Sequence, residues 1–118
     1  AEEMKEVYSI NNRVQLAYAS KIMRRRINQK LMLSGVSIED IDSAYISPDV
    51  EIGQDTVIRS NTTILGKSKI GEACSIGPNT ILNNVEVGNE AEIISSNLDG
   101  VKVENSAKVG PFVEKHGK

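Results

Sequence analysis

Few side chains in this 118-residue chain could do chemistry, and they are scattered. There is one histidine, His116, one cysteine, Cys74, and a basic run formed by Lys21, Arg24, Arg25, Arg26 and Lys30. His116 is the only candidate imidazole base, a role that needs a positioned partner and a substrate within hydrogen-bond reach. It stands third from a Gly- and Lys-containing terminus and is read as part of a frayed tail. A single cysteine permits no intrachain disulfide, which fits a reducing, cytoplasmic setting. The basic run has no interleaved aromatic set, and the net charge of the chain is −2. It is therefore read as a solvated or partner-facing helix side, with no nucleic acid expected. Charge is unevenly split: residues 1–35 carry seven basic and three acidic side chains, and 36–118 carry seven and thirteen. No 18-residue apolar run and no signal-peptide core appears, so no membrane partner is expected.

The elements that must position these residues announce themselves by period. Ile46, Ile52, Ile58, Ile64, Ile70 and Ile76 recur every six residues. The fifth place of each hexad holds a small or β-branched residue: Val50, Thr56, Thr62, Ser68, Cys74 and Thr80. A fixed period of six is the signature of a hexapeptide β-helix, not of a helix or a hairpin array. Three hexads close one triangular coil. Residues two apart on a strand share a face, so the fifth place of one hexad and the first of the next both point inward. Cys74 thus reads as a core filler. Gly, Asn and Asp crowd the corners, where turns need positive φ or local side-chain hydrogen bonds. After Ile76 three units are one residue short, which moves the expected core to Leu82, Val87, Ile93, Leu98, Val103 and Val109. The spacing predicts a mainly β fold of about four coils over 36–113, stacked about 4.8 Å apart. Thr56, Thr62 and Thr80 are inward places, which argues against an outward threonine ladder for ice binding. The single histidine argues against a zinc enzyme on the same scaffold.

A long helix is expected before the coils. Asn12 followed by Gln15 reads as a capping pair. Leu16, Ala19, Met23, Ile27 and Leu31 form an amphipathic stripe, and Gly35 is placed as the stop. Before it, residues 7–10 read as a short strand with no neighbour in sequence to pair with.

The stretches EVYSINNRVQL, KIMRRRINQKLMLSGVSI, YISPDVEIGQDTVI and VENSAKVGPF, in that order, resemble one family over residues 2 to about 113. It is the bifunctional bacterial N-acetylglucosamine-1-phosphate uridyltransferase and glucosamine-1-phosphate N-acetyltransferase, which makes UDP-N-acetylglucosamine for peptidoglycan. The resemblance implies a left-handed β-helix, assembly as a trimer, and a family that uses Mg²⁺ and acetyl-CoA. It divides the chain into a remnant of the uridyltransferase domain's last strand (1–11), a linker helix (12–35), the β-helix (36–113) and a tail (114–118). Asn11 falls at the family's magnesium-holding position, but a lone amide oxygen is an incomplete site for an ion that wants octahedral oxygen ligation. The family's acetyltransferase residues lie in later coils that have no counterpart here. No catalytic or substrate-binding residue is assigned, and no cofactor is expected on this chain itself. Two readings follow. The chain is a truncated segment of the bifunctional enzyme, inactive alone, or a stand-alone non-catalytic β-helix module for trimerisation or partner binding.

Overall fold

The computed structural model describes residues 12–117, so the strand expected over 7–10 and the side chain of Asn11 lie outside the described residues. Helix α1 spans Arg13–Leu33. Asn12 caps it: its backbone is extended, and its side-chain oxygen accepts the Gln15 amide at 2.9 Å, satisfying a donor that the helix start leaves unpaired. The helix stops at Gly35, whose φ of +105° only glycine adopts easily. The Val36 amide then reaches back to the Leu31 carbonyl at 3.1 Å and closes the last turn.

Short parallel strands follow and cycle through three faces. The first face stacks β1 (Ser37–Ile38), β4 (Val57–Ile58), β7 (Ser75–Ile76), β10 (Glu92–Ile93) and β13 (Lys108–Val109). The second stacks β2 (Ala44–Ile46), β5 (Thr62–Leu65), β8 (Thr80–Asn83), β11 (Asn97–Asp99) and β14 (Glu114–His116). The third stacks β3 (Glu51–Ile52), β6 (Lys69–Ile70), β9 (Glu86–Val87) and β12 (Lys102–Val103). Consecutive strands sit on consecutive faces, so the chain winds a three-sided parallel β-solenoid preceded by one helix. Ala44 pairs with Thr62 and Thr62 with Thr80, the 18-residue advance that three hexads require. Higher up, Ile81 pairs with Asn97 and Glu86 with Lys102, advances of 16 that absorb the shortened corners.

The solenoid has about five turns, one more than hexad counting predicts, because both ends add rungs. At the base, β1 pairs with β4 although Ser37 precedes Val57 by 20 residues, outside the hexad spacing. At the top, β14 pairs with β11, so residues 114–116 form a rung instead of a tail, and His116 stands in register with Asp99. The reasons differ: at the base the inward Ile38 stands off the six-residue period, and at the top the inward place holds Lys115. A ladder needs extended backbone with free amides and carbonyls, and it does not need an aliphatic at the inward place.

Inside, the two inward places per hexad are where periodicity puts them. Ile46, Ile58, Ile64, Ile70, Ile76, Leu82, Val87, Ile93, Leu98 and Val103 are buried, while Ile52 and Val109 are partly so. Val50, Thr56, Thr62, Ser68, Cys74 and Thr80 are buried as well. Small size is only half of what the fifth place demands. Thr56 Oγ1 donates to the Gly71 carbonyl at 2.7 Å and accepts the Cys74 amide at 3.1 Å. Ser68 Oγ likewise donates to Leu65 O at 2.8 Å and accepts the Val85 amide at 3.0 Å. The hydroxyls therefore satisfy backbone groups that the corners remove from the ladder.

Candidate functional site

Chemistry needs groups brought together, and the prism keeps its two reactive side chains apart. Cys74 is sealed inside, its thiol donating to the Gly88 carbonyl at 3.0 Å. His116 lies on the exposed edge of the second face, with Nε2 3.4 Å from Glu114 Oε2 and Nδ1 4.0 Å from Asp99 Oδ2. A base outside and a thiol inside form no nucleophilic pair. Among the described residues, no group of three or more His, Cys, Asp or Glu side chains is placed to hold a metal ion.

What the architecture does build is a set of contrasting outer faces. On the third face each strand offers an outward charge, and register stacks them in alternating sign: Glu51, Lys69, Glu86, Lys102. Lys69 Nζ lies 4.0 Å from Glu51 and Lys102 Nζ 3.7 Å from Glu86, all well exposed. The second face differs. Tyr45, Thr63 and Ile81 follow one another in register, with Leu65 beside them. Tyr45, Leu65 and Ile81 are large hydrophobic side chains left 49%, 38% and 43% exposed. Above them the same face turns polar, with Asn97, Asp99, Glu114 and His116.

The apolar part of that face runs into a groove beside α1. The amphipathic stripe expected on this helix splits in two. Ile27 and Leu31 pack against the core, while Leu16 and Met23 remain more than half exposed. Between the outer half of the helix and β2 lies a groove of about 540 Å³, walled by Leu16, Met23, Ile27, Tyr45 and Leu65. The basic run splits too. The Arg24 guanidinium carbon sits 4.0 Å above the Tyr45 ring, with its Nε buried and unpartnered. Arg25 donates through Nε and Nη2 to Asp42 Oδ1 at 3.1 and 3.0 Å. Part of the charge is therefore spent on holding the helix to the first turn. Sequence reading missed Tyr45, Leu65 and Ile81 because it followed inward places. The signal was present: bulky outward residues recur at 45 and 81 on one face only.

No helix among the described residues is long and apolar enough to cross a membrane. A scan against protein-family profiles finds no match. Among curated proteins, the bifunctional protein GlmU of Caldanaerobacter subterraneus subsp. tengcongensis is 49% identical over 110 residues, covering 93% of this chain and 24% of that protein. The bifunctional protein GlmU of Fervidobacterium nodosum is 47% identical over 111 residues, covering 94% of this chain and 25% of that protein. The chain thus spans about a quarter of the length of the curated relatives it matches. Among solved structures, a perosamine N-acetyltransferase from Caulobacter crescentus in complex with CoA and GDP-perosamine is 17% identical and covers 78% of this chain and 62% of that one. Its TM-score is 0.23, too low to carry any argument.

Proposed function

The chain belongs, across 93% of its length, to the family of the bifunctional GlmU proteins, and on that premise we propose that it is a scaffold segment of such an enzyme. It supplies the linker helix and the first turns of a left-handed β-helix in a cytoplasmic enzyme of UDP-N-acetylglucosamine synthesis. Magnesium and acetyl-CoA act elsewhere in that enzyme. This chain alone turns over neither reaction, and its work is assembly: three copies pack side by side.

The observation that carries this reading is the asymmetry of the outer faces. A solvated face is served well by alternating charges, which gain from their neighbours and repel nothing on average. Contiguous exposed apolar side chains, by contrast, mark surfaces that are covered by another molecule. Tyr45, Leu65 and Ile81, with the groove beside them, give one such surface per chain.

Sedimentation equilibrium tests the assembly. The expected result is a trimer that Ile81→Lys dissociates, since the change leaves the interior untouched. A monomer persisting at high micromolar concentration overturns the reading. For activity, the chain is incubated with UTP, acetyl-CoA, sugar phosphates and Mg²⁺. Turnover that survives repurification and disappears in His116→Ala would show that a catalytic role for His116 had been wrongly set aside.

A further inference from the structure

Two columns of outward side chains run up the second face, one on each side of its inward aliphatics. One column reads Tyr45, Thr63, Ile81, Asn97 and Glu114. The other reads Leu65, Asn83, Asp99 and His116. Members of the two columns at one height lie two residues apart on one strand, about 7 Å. Both columns change character with height, from largely apolar in the lower turns to ionisable above. Neither of the other faces offers a comparable apolar patch. Outward on the first face stand Ser37, Val57 and Ser75, then Glu92 and Lys108 as an ion pair at 3.9 Å, and the third face alternates in sign throughout.

We propose that the upper second face is an acid-tightened clasp between copies of this chain, in which Glu114 of one copy meets His116 of the next. The clasp rests on the side-by-side packing of three copies proposed above. A closed three-fold ring keeps every copy at the same height. Rotation about its axis sets one edge of a face against the opposite edge of its neighbour's. With second faces turned to the axis, Ile81 of one copy meets Asn83 of the next, and Glu114 meets His116. The lower rungs then supply adhesion, and the upper rungs make it sensitive to pH.

Around the imidazole, its own copy places Glu114 Oε2 3.4 Å from Nε2 and Asp99 Oδ2 4.0 Å from Nδ1. The one other charged side chain on β14, or on β11 against which it packs, is Lys115, in register with the inward Leu98. Each copy thus brings two carboxylates and one imidazole to the axis. With the imidazoles neutral, the carboxylates repel across every interface. With them charged, half of that negative charge is cancelled, and each ring faces acids of its own copy and of the next. An association that favours the cation takes up protons, so it is strongest at the acid end of the imidazole range and is lost as pH rises through it. The clasp works across the side of the solenoid and is indifferent to what lies above β14.

The test is sedimentation equilibrium of the 118-residue chain at about pH 6 and about pH 8, with circular dichroism to show that the fold is the same at both. Three-copy association should be roughly tenfold tighter at the lower pH, since three exposed ion pairs form together. The gain should shrink in about 1 M salt. His116→Gln, neutral at both values, should show the weaker association at both, and His116→Lys, cationic at both, the tighter one. Trimers of equal strength at the two values, or a glutamine variant that keeps the dependence, overturn the clasp and leave the assembly standing. A monomer throughout overturns the assembly and the clasp with it. The register is read by co-expressing Ile81→Cys and Asn83→Cys chains and oxidising them. A covalent dimer on a non-reducing gel, absent from either variant alone, is expected, while the native Cys74 is buried and takes no part. A trimer without that crosslink means that the second faces do not meet, and it overturns the clasp whatever the pH dependence.

Discussion

The two ends of the solenoid are made from the same hexad grammar and come out differently. At the base, Val36, Ala44 and Ile46 are as well buried as residues in the middle turns. At the top, Val101, Ala107, Val109 and Val113 are only partly buried, although they fill equivalent inward places. The difference is a cover. Helix α1 sets Ile27 and Leu31 onto the first turn, and Asn28 donates to the carbonyls of Ile41 at 2.9 Å and Ala44 at 3.1 Å. A helix can thus replace a missing turn in both of its duties, excluding water from the core and satisfying backbone that would otherwise pair in a ladder. The inward place of a hexad prescribes a direction only. Burial requires a layer on each side.

The largest test of this view places a charge in the middle. Ile64 is fully buried between Ile46 and Leu82. Ile64→Asp should cost several kcal/mol, the penalty for an unpaired carboxylate in an apolar core, and thermal melting should show a collapse of Tm. The same carboxylate at Val109 should cost far less, because water reaches the top turn. Equal losses at the two positions would break the comparison.

The base offers the next largest effect. Asn28 is fully buried and its amide nitrogen serves two carbonyls of the first turn. Asn28→Leu keeps the bulk and removes both bonds, leaving buried acceptors unpaired at a cost of about 2–4 kcal/mol. Hydrogen exchange should show protection lost first in α1 and β1, with the middle turns protected as before. Loss spread evenly over every turn would mean that the helix is not the cover it is taken to be.

A matched pair sharpens the same point with milder chemistry. Val87 is 5% exposed in the third turn, whereas Val109 is only partly buried in the last. Val87→Ala should cost about 2 kcal/mol, the transfer of two methyl-sized groups plus a small cavity term. Val109→Ala should cost less than about 1 kcal/mol, since much of that side chain is never removed from water. Urea titration resolves a difference of this size.

Legibility in the sequence divides along the same line. The middle turns were readable residue by residue, down to the one-residue deletions, because every inward place there has a neighbour above and below and tolerates little else. The base was not. Its first turn advances by 20 residues through an irregular segment in which Asp42 and Ser43 serve the Arg25 side chain and the Asn61 amide. No period marks such a turn, and tertiary contact with α1 decides it. The top was misread for the opposite reason: Lys115 breaks the aliphatic column, yet backbone pairing carries β14 on regardless. The capping of α1 was visible in Asn12 and Gly35, but how far its stripe would be covered was not, because coverage depends on where β2 ends up. Hydroxyls at Thr56 and Ser68 read as small residues, while their service to the corners appears only once the neighbouring turns are in place.

The smallest effect probes the charged third face, where middle and end positions differ in their number of neighbours. Lys69 lies between Glu51 below and Glu86 above. Lys69→Glu makes three like charges in consecutive rungs about 4.8 Å apart, where opposite signs had stood. These groups are exposed, so the cost should be modest, about 0.5–1 kcal/mol at low ionic strength. It should fade in about 1 M salt, where the screening length falls to about 3 Å. Lys102 has Glu86 below it and no strand above among the described residues. Lys102→Glu should therefore cost about half as much and fade in the same way. A loss at Lys69 that persists in high salt would trace to packing of the lysine stem, and the alternating ladder would then play no part in stacking the turns. Equal losses at the two sites would be more damaging. They would mean that a rung's stability does not depend on how many rungs flank it, and the contrast between the covered base and the open top would need another cause.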